Sequence, residues 1–210
     1  METSVRFPSR KLNLDISHRC PLQCIQCGRQ RSFLDKGKKV PGSDLSLDNF
    51  RKIVKYFDNI SFCGQYSDPI HHPEFKEMLE ILHDEKDFRS QGKRKHTEVH
   101  VASSHKPKQF YIDCFKANPH AEWVFGIDGL PRHSDIYRIN QDGQKLWDIM
   151  IESKKYLVRK PVWQFIIFKY NEAYIETAEK MAKKEDIHLI LLNSSRFKDD
   201  TQWLKPSVRV

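Results

Sequence analysis

The chain has 210 residues, 39% of them hydrophobic and 30% charged, enough for one core of ordinary size but short of two full domains of ~100 to 150 residues each. A mean hydropathy of −0.68 and the lack of any apolar run near the ~18 residues of a membrane span exclude a membrane-embedded chain, and Met1 to Lys11 carry no apolar stretch behind their charges, so no secretory signal is expected and the cytosol is the expected compartment. Thirty-six Lys and Arg against 28 Asp and Glu give a net charge of +8, which permits contact with a polyanion without identifying one.

Short β-like runs alternate with longer helical ones, the pattern of parallel strands joined by crossover helices. The first strand runs through Leu12, Leu14 and Ile16 and ends before a cysteine loop. A helix then opens at Ser46, a suitable N-cap, and aligns Leu47, Phe50, Ile53, Val54 and Phe57 on one face. The second strand is Ile60 to Cys63, followed by a Gly/Asp/Pro turn and a helix with Phe75, Met78, Leu79 and Leu82 at helical spacing. Asp84 to His96 reads as an exposed connection. Strand three is Val99 to Ala102, with a helix over Pro107 to Ala117; strand four is Trp123 to Ile127, with a helix over Asp142 to Leu157. Strand five is Val162 to Phe168, a helix spans Asn171 to Lys184, and strand six is His188 to Leu192. Residues 193–210 read as a short polar tail on a single domain spanning 1–210. No fixed-period repeat or low-complexity tract is present. Six β/α units fall short of the eight that close a barrel, so the expected fold is α/β, a partial TIM-like barrel of about six parallel β/α units with its site at the carboxyl ends of the strands.

Of the five cysteines, Cys20, Cys24 and Cys27 form a C-x3-C-x2-C cluster within eight residues. The odd count and the crowding suit an inorganic centre better than a disulfide framework. A zinc knot completed by His18 is the alternative, but such knots pair ligands from two segments and the sequence holds no second pair. Cys63, in a predicted strand, and Cys114, in a predicted helix, read as small buried hydrophobes.

Placed directly after a first strand, the cysteine loop resembles the signature of the radical S-adenosylmethionine (SAM) superfamily. The resemblance implies that Cys20, Cys24 and Cys27 hold three irons of a [4Fe–4S] cluster, while the amino and carboxylate groups of SAM take the fourth. The run from Cys63 through Gly64, Gln65, Tyr66, Ser67 and Asp68 to Pro69 is similar to the family's glycine-rich acidic segment, with Ser67 where glycine is common. It implies that Gly64, Gln65, Tyr66 and Asp68 lie against the amino group of SAM, a carboxylate suiting an ammonium. Gly126-Ile127-Asp128-Gly129, with His133, Ser134, Asp135 and Arg138, resembles a stretch found after strand four in peptide-modifying members. It implies Asp128 at the SAM ribose and Arg138 on its carboxylate. Ser103 and Ser104 end strand three where family members place small polar residues against SAM, and Asn193 is placed to reach the adenine edge. Trp163 to Glu172 is also similar to family members, although Asn171 as an N-cap and Glu172 on the helix dipole account for most of it. No cysteine follows Cys114, so the auxiliary-cluster domain of SPASM-type relatives has no ligands here.

The activity implied is reductive cleavage of SAM to a 5′-deoxyadenosyl radical that abstracts hydrogen from a substrate, oxidoreductase or transferase chemistry. A peptide or protein and a nucleotide both remain open as that substrate. A reductant such as flavodoxin or ferredoxin would supply the electron. The competing reading is a non-catalytic zinc-stabilised module whose basic residues Arg29, Arg31, Lys36, Lys38 and Lys39 contact nucleic acid.

Overall fold

The computed structural model describes residues 10–38, 42–85 and 94–208. Its centre is one parallel sheet of six strands in the order β1-β2-β3-β4-β5-β6: β1 (Lys11–Leu14), β2 (Asn59–Phe62), β3 (His96–Val101), β4 (Glu122–Gly126), β5 (Val162–Ile167) and β6 (His188–Asn193). Spatial order follows chain order, so each crossover places its helix on the same face, and the sheet curls without closing, with β1 and β6 as its edges. The helices are α1 (Gly28–Lys36), α2 (Leu47–Val54), α3 (Phe75–Asp84), α4 (Lys108–Ala117), α5 (Gly143–Ser153) and α6 (Ile175–Glu185). No helix among the described residues is long and apolar enough to cross a membrane.

Alternation decides which face is buried. In β3, Thr97, Val99 and Val101 are buried while His96, Glu98 and His100 are only partly so, because successive side chains point to opposite faces. The buried set meets the helices in a core that includes Phe62, Phe75, Phe115 and Trp123 on one side and Trp147 and Trp163 on the other. Phe115 meets Trp123 edge-on at 4.7 Å and Trp147 meets Trp163 at 4.8 Å. Each such side chain stabilises the fold by roughly 1.5–3 kcal/mol. The concave face carries the other set, which in β3 is polar.

The predicted strands and helices stand where the periodicity puts them, to within a few residues at the ends. Three features differ. First, α1 follows the cysteine loop directly, ahead of the helix predicted from Ser46. It buries no residue and so leaves no apolar stripe to detect; it ends at Gly37, φ +60°, whose N–H donates to Phe33 O at 2.8 Å. Second, Asn171 does not cap a helix by its side chain. Its Oδ1 accepts from Phe168 N at 2.7 Å and its Nδ2 donates to Ile166 O at 3.0 Å, closing the turn after β5, and a 3₁₀ turn over Glu172–Tyr174 precedes α6. Third, the segment after β6 folds back onto the body. A 3₁₀ turn over Asp199–Leu204 buries Thr201 and Leu204, and Leu204 packs with Tyr137, Phe168, Cys24, Ile25 and Phe197. The connection predicted over Asp84 to His96 lies largely outside the described residues, α3 ending at Asp84 and β3 starting at His96.

Candidate functional site

The carboxyl ends of the strands surround a cavity of about 460 Å³. Cys20, Cys24 and Cys27 form part of its wall, and all three thiols are free and half-buried. Their loop is fixed by backbone bonds, Gln23 N to Ile139 O at 3.0 Å and Ile25 N to Tyr137 O at 3.2 Å, and by Arg29 Nη2 donating to Leu22 O at 2.6 Å. The buried Gln26 side chain donates to Thr201 Oγ1 in the segment after β6. Burial pushes the Cys20 thiol up to about 12, with Asp68 adding to it, and the Cys24 thiol up to about 11, Arg138 opposing. Both therefore hold their protons near neutrality, and metal binding here must release them.

Among the described residues no three metal-ligating side chains converge tightly enough for a single ion. Cys20, Cys24 and Cys27 nevertheless all line the one cavity, and free thiols are the ligand type of an iron–sulfur centre. His18 does not line the cavity and packs against Gly42.

The glycine-rich loop is organised by a residue that sequence reading passed over. Asp15, just past β1, accepts from Gln65 N at 3.1 Å, Tyr66 N at 3.4 Å and Ser67 Oγ at 3.0 Å. The serine that departs from the family pattern thus holds the loop through its hydroxyl. The left-handed residue is Gly64, φ +51°, where a Cβ would stand 2.5 Å from Ser67 O. Gly64, Gln65, Tyr66 and Asp68 all line the cavity.

Asp68 is 3% exposed and its carboxylate is already engaged. Oδ2 accepts from Ala102 N at 2.8 Å and Ser103 N at 2.7 Å, tying the end of β2 to the end of β3. Burial raises it to about 6, against the pull of these bonds. Ser103 and Ser104 lie behind the wall. Ser103 Oγ pairs with His71 Nε2 at 2.8 Å, and Ser104 Oγ accepts from Asp142 N at 2.8 Å.

Arg138 reaches the cavity and Asp128 stands behind it. Asp128, fully buried, accepts from Ile166 N at 2.9 Å through Oδ1 and meets Arg138 Nε at 2.7 Å through Oδ2. Burial works most strongly against the guanidinium charge, and Asp128 leads the neighbouring groups that together hold Arg138 above the ordinary arginine range. Arg138 is therefore an oriented cation with donors to spare.

The floor is formed by His100, Val124, Gln164, Ile166 and Leu192, and the far rim by Asn193, Ser194, Ser195 and Arg196. Of these only Asn193 was foreseen. The missed signal was a polar residue at an inward position of an otherwise apolar strand, as in Gln164 of β5. Cys63 follows β2 rather than lying within it and lines the same cavity, half-buried, its thiol raised by burial. Cys114 is buried in α4 as expected. Of the five basic residues, Arg29 lines the cavity and Arg31 pairs with Asp200 at 2.6 Å, while Lys36 and Lys38 are exposed and Lys39 lies outside the described residues.

No family model and no curated protein matches the sequence. Solved structures do. Native anSMEcpe with bound AdoMet and the Cp18Cys peptide matches with a TM-score of 0.66 at 14% identity, over 89% of this chain and 51% of that one. SuiB of Streptococcus suis bound to S-adenosylmethionine matches with a TM-score of 0.71 at 12% identity, over 95% and 44%. Coproporphyrinogen III oxidase HemN of Escherichia coli, a radical SAM enzyme, matches with a TM-score of 0.55 at 10% identity, over 94% and 50%. The chain spans about half the length of these solved chains. Its six parallel strands and their helices have the partial-barrel fold of the radical SAM core domain.

Proposed function

We propose that the chain is a radical SAM enzyme acting on a peptide or protein, in which Cys20, Cys24 and Cys27 hold a [4Fe–4S] cluster and the cavity beside them binds SAM. The observation that carries this reading is that three free thiols, the Gly64 loop and Arg138 all line one cavity at the strands' carboxyl ends. A cluster held by Cys20, Cys24 and Cys27 would, when reduced by an external donor such as flavodoxin or ferredoxin, supply the single electron needed for reductive cleavage of SAM.

The protein's own residues orient and enclose. Arg138, fixed by Asp128, offers donors to the carboxylate of SAM, where a fork of N–H groups is matched to two oxygens. The Gly64 turn brings backbone close to the amino group, with Gln65 and Tyr66 beside it, and Asn193 serves the adenine edge. Asp68, Ser103, Ser104 and Asp128 act by position, since their polar atoms hold strand ends and Arg138 in place. Val124, Ile166, Leu192 and Tyr137 give the cavity an apolar portion that limits water. A peptide substrate is supported by the bound peptide of anSMEcpe.

Protein purified and reconstituted without oxygen is expected to carry four irons with sulfide per chain and to release 5′-deoxyadenosine from SAM on reduction. Colourless protein holding one zinc, with no SAM cleavage, would instead support the zinc-stabilised nucleic-acid module.

A further inference from the structure

The helix α1 opens at Gly28, directly after Cys27, and its first turn breaks a local rule. The positive end of a helix dipole favours acidic side chains, yet this turn holds no acid and carries Arg29 and Arg31. Arg31 is accounted for, since it pairs with Asp200 at 2.6 Å and does not line the cavity. Arg29 is not. Helical side chains lean back toward the N-terminus, which carries Arg29 over the cysteine loop. There Nη2 donates to Leu22 O at 2.6 Å, and the residue lines the same cavity as Cys20, Cys24 and Cys27. Its Nε is sealed from solvent with no hydrogen-bond partner, and no carboxylate pairs with the guanidinium among the described residues. A buried N–H without an acceptor carries its desolvation cost uncompensated, and a guanidinium is always charged. One kind of neighbour answers both, an anionic acceptor beside the loop. Burial and then Asp68 hold the Cys20 thiol up, and Arg29 is among the neighbours that oppose them, so its charge acts on this sulfur.

We propose that Arg29 sets the reduction potential of the cluster in this cavity: the fixed cation and its unpartnered Nε–H stabilise the reduced form more than the oxidised one. The inference rests on the reading of the cavity given above. Nearby charge and hydrogen bonds to sulfur are among the protein's levers on an iron–sulfur potential, and a cation favours the more negative of two forms. One electron comes from the external donor and stays on the iron–sulfur centre, while Arg29 keeps its proton and its charge throughout. A residue that only clamped the loop through Leu22 would affect stability and iron loading and leave the potential alone.

The test is an anaerobic redox titration of the reconstituted full chain without SAM, followed by electron paramagnetic resonance of the reduced cluster. In Arg29→Gln the ratio of reduced to oxidised cluster at a given potential is expected to fall about tenfold, a midpoint lower by about 59 mV for a one-electron couple. Arg29→Lys, which keeps the charge and lacks Nε–H, should fall in between. Arg31→Gln removes the same formal charge from the same helix and should stay within twofold of the parent, because that charge is already paired with Asp200. Iron content and melting temperature matching the parent show that a variant has folded and loaded. If Arg29→Gln loads no iron, Arg29→Lys is titrated alone, and a fall of about threefold is expected. A ratio within twofold of the parent in the Arg29 variant titrated, a rise, or an equal fall in Arg31→Gln overturns the proposal. If the parent loads no iron and cleaves no SAM, the cavity reading itself fails; if it does both and the potential does not follow Arg29, only the role of Arg29 fails.

Discussion

A Cβ at position 126 would stand 2.8 Å from Nη2 of Arg138: the end of β4 is glycine because the guanidinium lies across it. Arg138 has little freedom to withdraw, since Nε is held at 2.7 Å by the fully buried Asp128. Gly126→Ala is therefore expected to displace the guanidinium and weaken SAM binding about tenfold, the loss of one charge-assisted contact of ~1.4 kcal/mol. Iron content should not change. Calorimetric titration of SAM against the parent and the variant reads the difference.

Asp15 holds the glycine-rich loop by three hydrogen bonds, two from backbone N–H groups and one from Ser67 Oγ. Asp15→Ala should destabilise the protein by about 1–3 kcal/mol and lower SAM affinity with it. Ser67→Ala, which removes one bond and leaves the backbone pair, should cost less in both. Urea denaturation gives the first quantity and titration the second. Equal losses in the two variants would show that the hydroxyl, and not the loop as a whole, is what Asp15 serves.

The segment after β6 clasps the cysteine loop through Gln26 and Thr201 and clasps α1 through the Arg31–Asp200 pair at 2.6 Å. Thr201 is 2% exposed, and its Oγ1 also accepts from Lys198 N at 2.9 Å. Thr201→Val keeps the shape and leaves two donors unmet, a loss of about 1–3 kcal/mol. In the metal-free protein the freed loop should let the Cys20 and Cys24 thiols react with a disulfide reagent several-fold faster, a rate measurable by absorbance.

Two linked groups carry opposite pH signatures. Asp68 is raised to about 6 by burial, so its proton binds the folded chain more tightly than the unfolded one. That contribution is complete below pH ~4 and is lost as pH rises through about 6. His71 is lowered to about 4, first by burial and then by Lys106 and His105; its contribution is complete above pH ~6.5 and is lost as pH falls through about 4. In the parent the two offset one another. Between pH 4 and 6.5, Asp68→Asn should make stability rise more steeply with pH, and His71→Phe should make it rise less. Denaturation midpoints across that range read the two slopes, and slopes of the same sign would contradict the assignment.

The sheet was legible because each strand alternates or runs apolar and each covering helix buries a stripe, as with Phe75, Met78, Leu79 and Leu82. The cysteine loop was legible because its chemistry is concentrated in eight residues. What could not be seen depends on contacts distant in the chain. Asp15 acts on residues 50 and more positions away, and Thr201 on Gln26 at a separation of 175. The helix α1 has no apolar face to announce it and is held by ion pairs to Asp200 and Lys198. The family resemblance implies Asp68, Ser103, Ser104 and Asp128 as SAM contacts. The fold uses those same polar atoms to join strands and aim Arg138, a division of labour that only the three-dimensional arrangement reveals.

Electron-nuclear double resonance on the reduced, reconstituted protein mixed with SAM labelled with ¹⁷O in its carboxylate and ¹⁵N in its amino group tests the central claim most directly. If Cys20, Cys24 and Cys27 hold the cluster as proposed, one iron would be left for SAM, so both labels should couple to the cluster, and replacing Cys24 by Ala should abolish the signal while Cys114→Ala leaves it. A cluster that shows no coupling to either label, its fourth iron ligated from the polypeptide, would contradict the account.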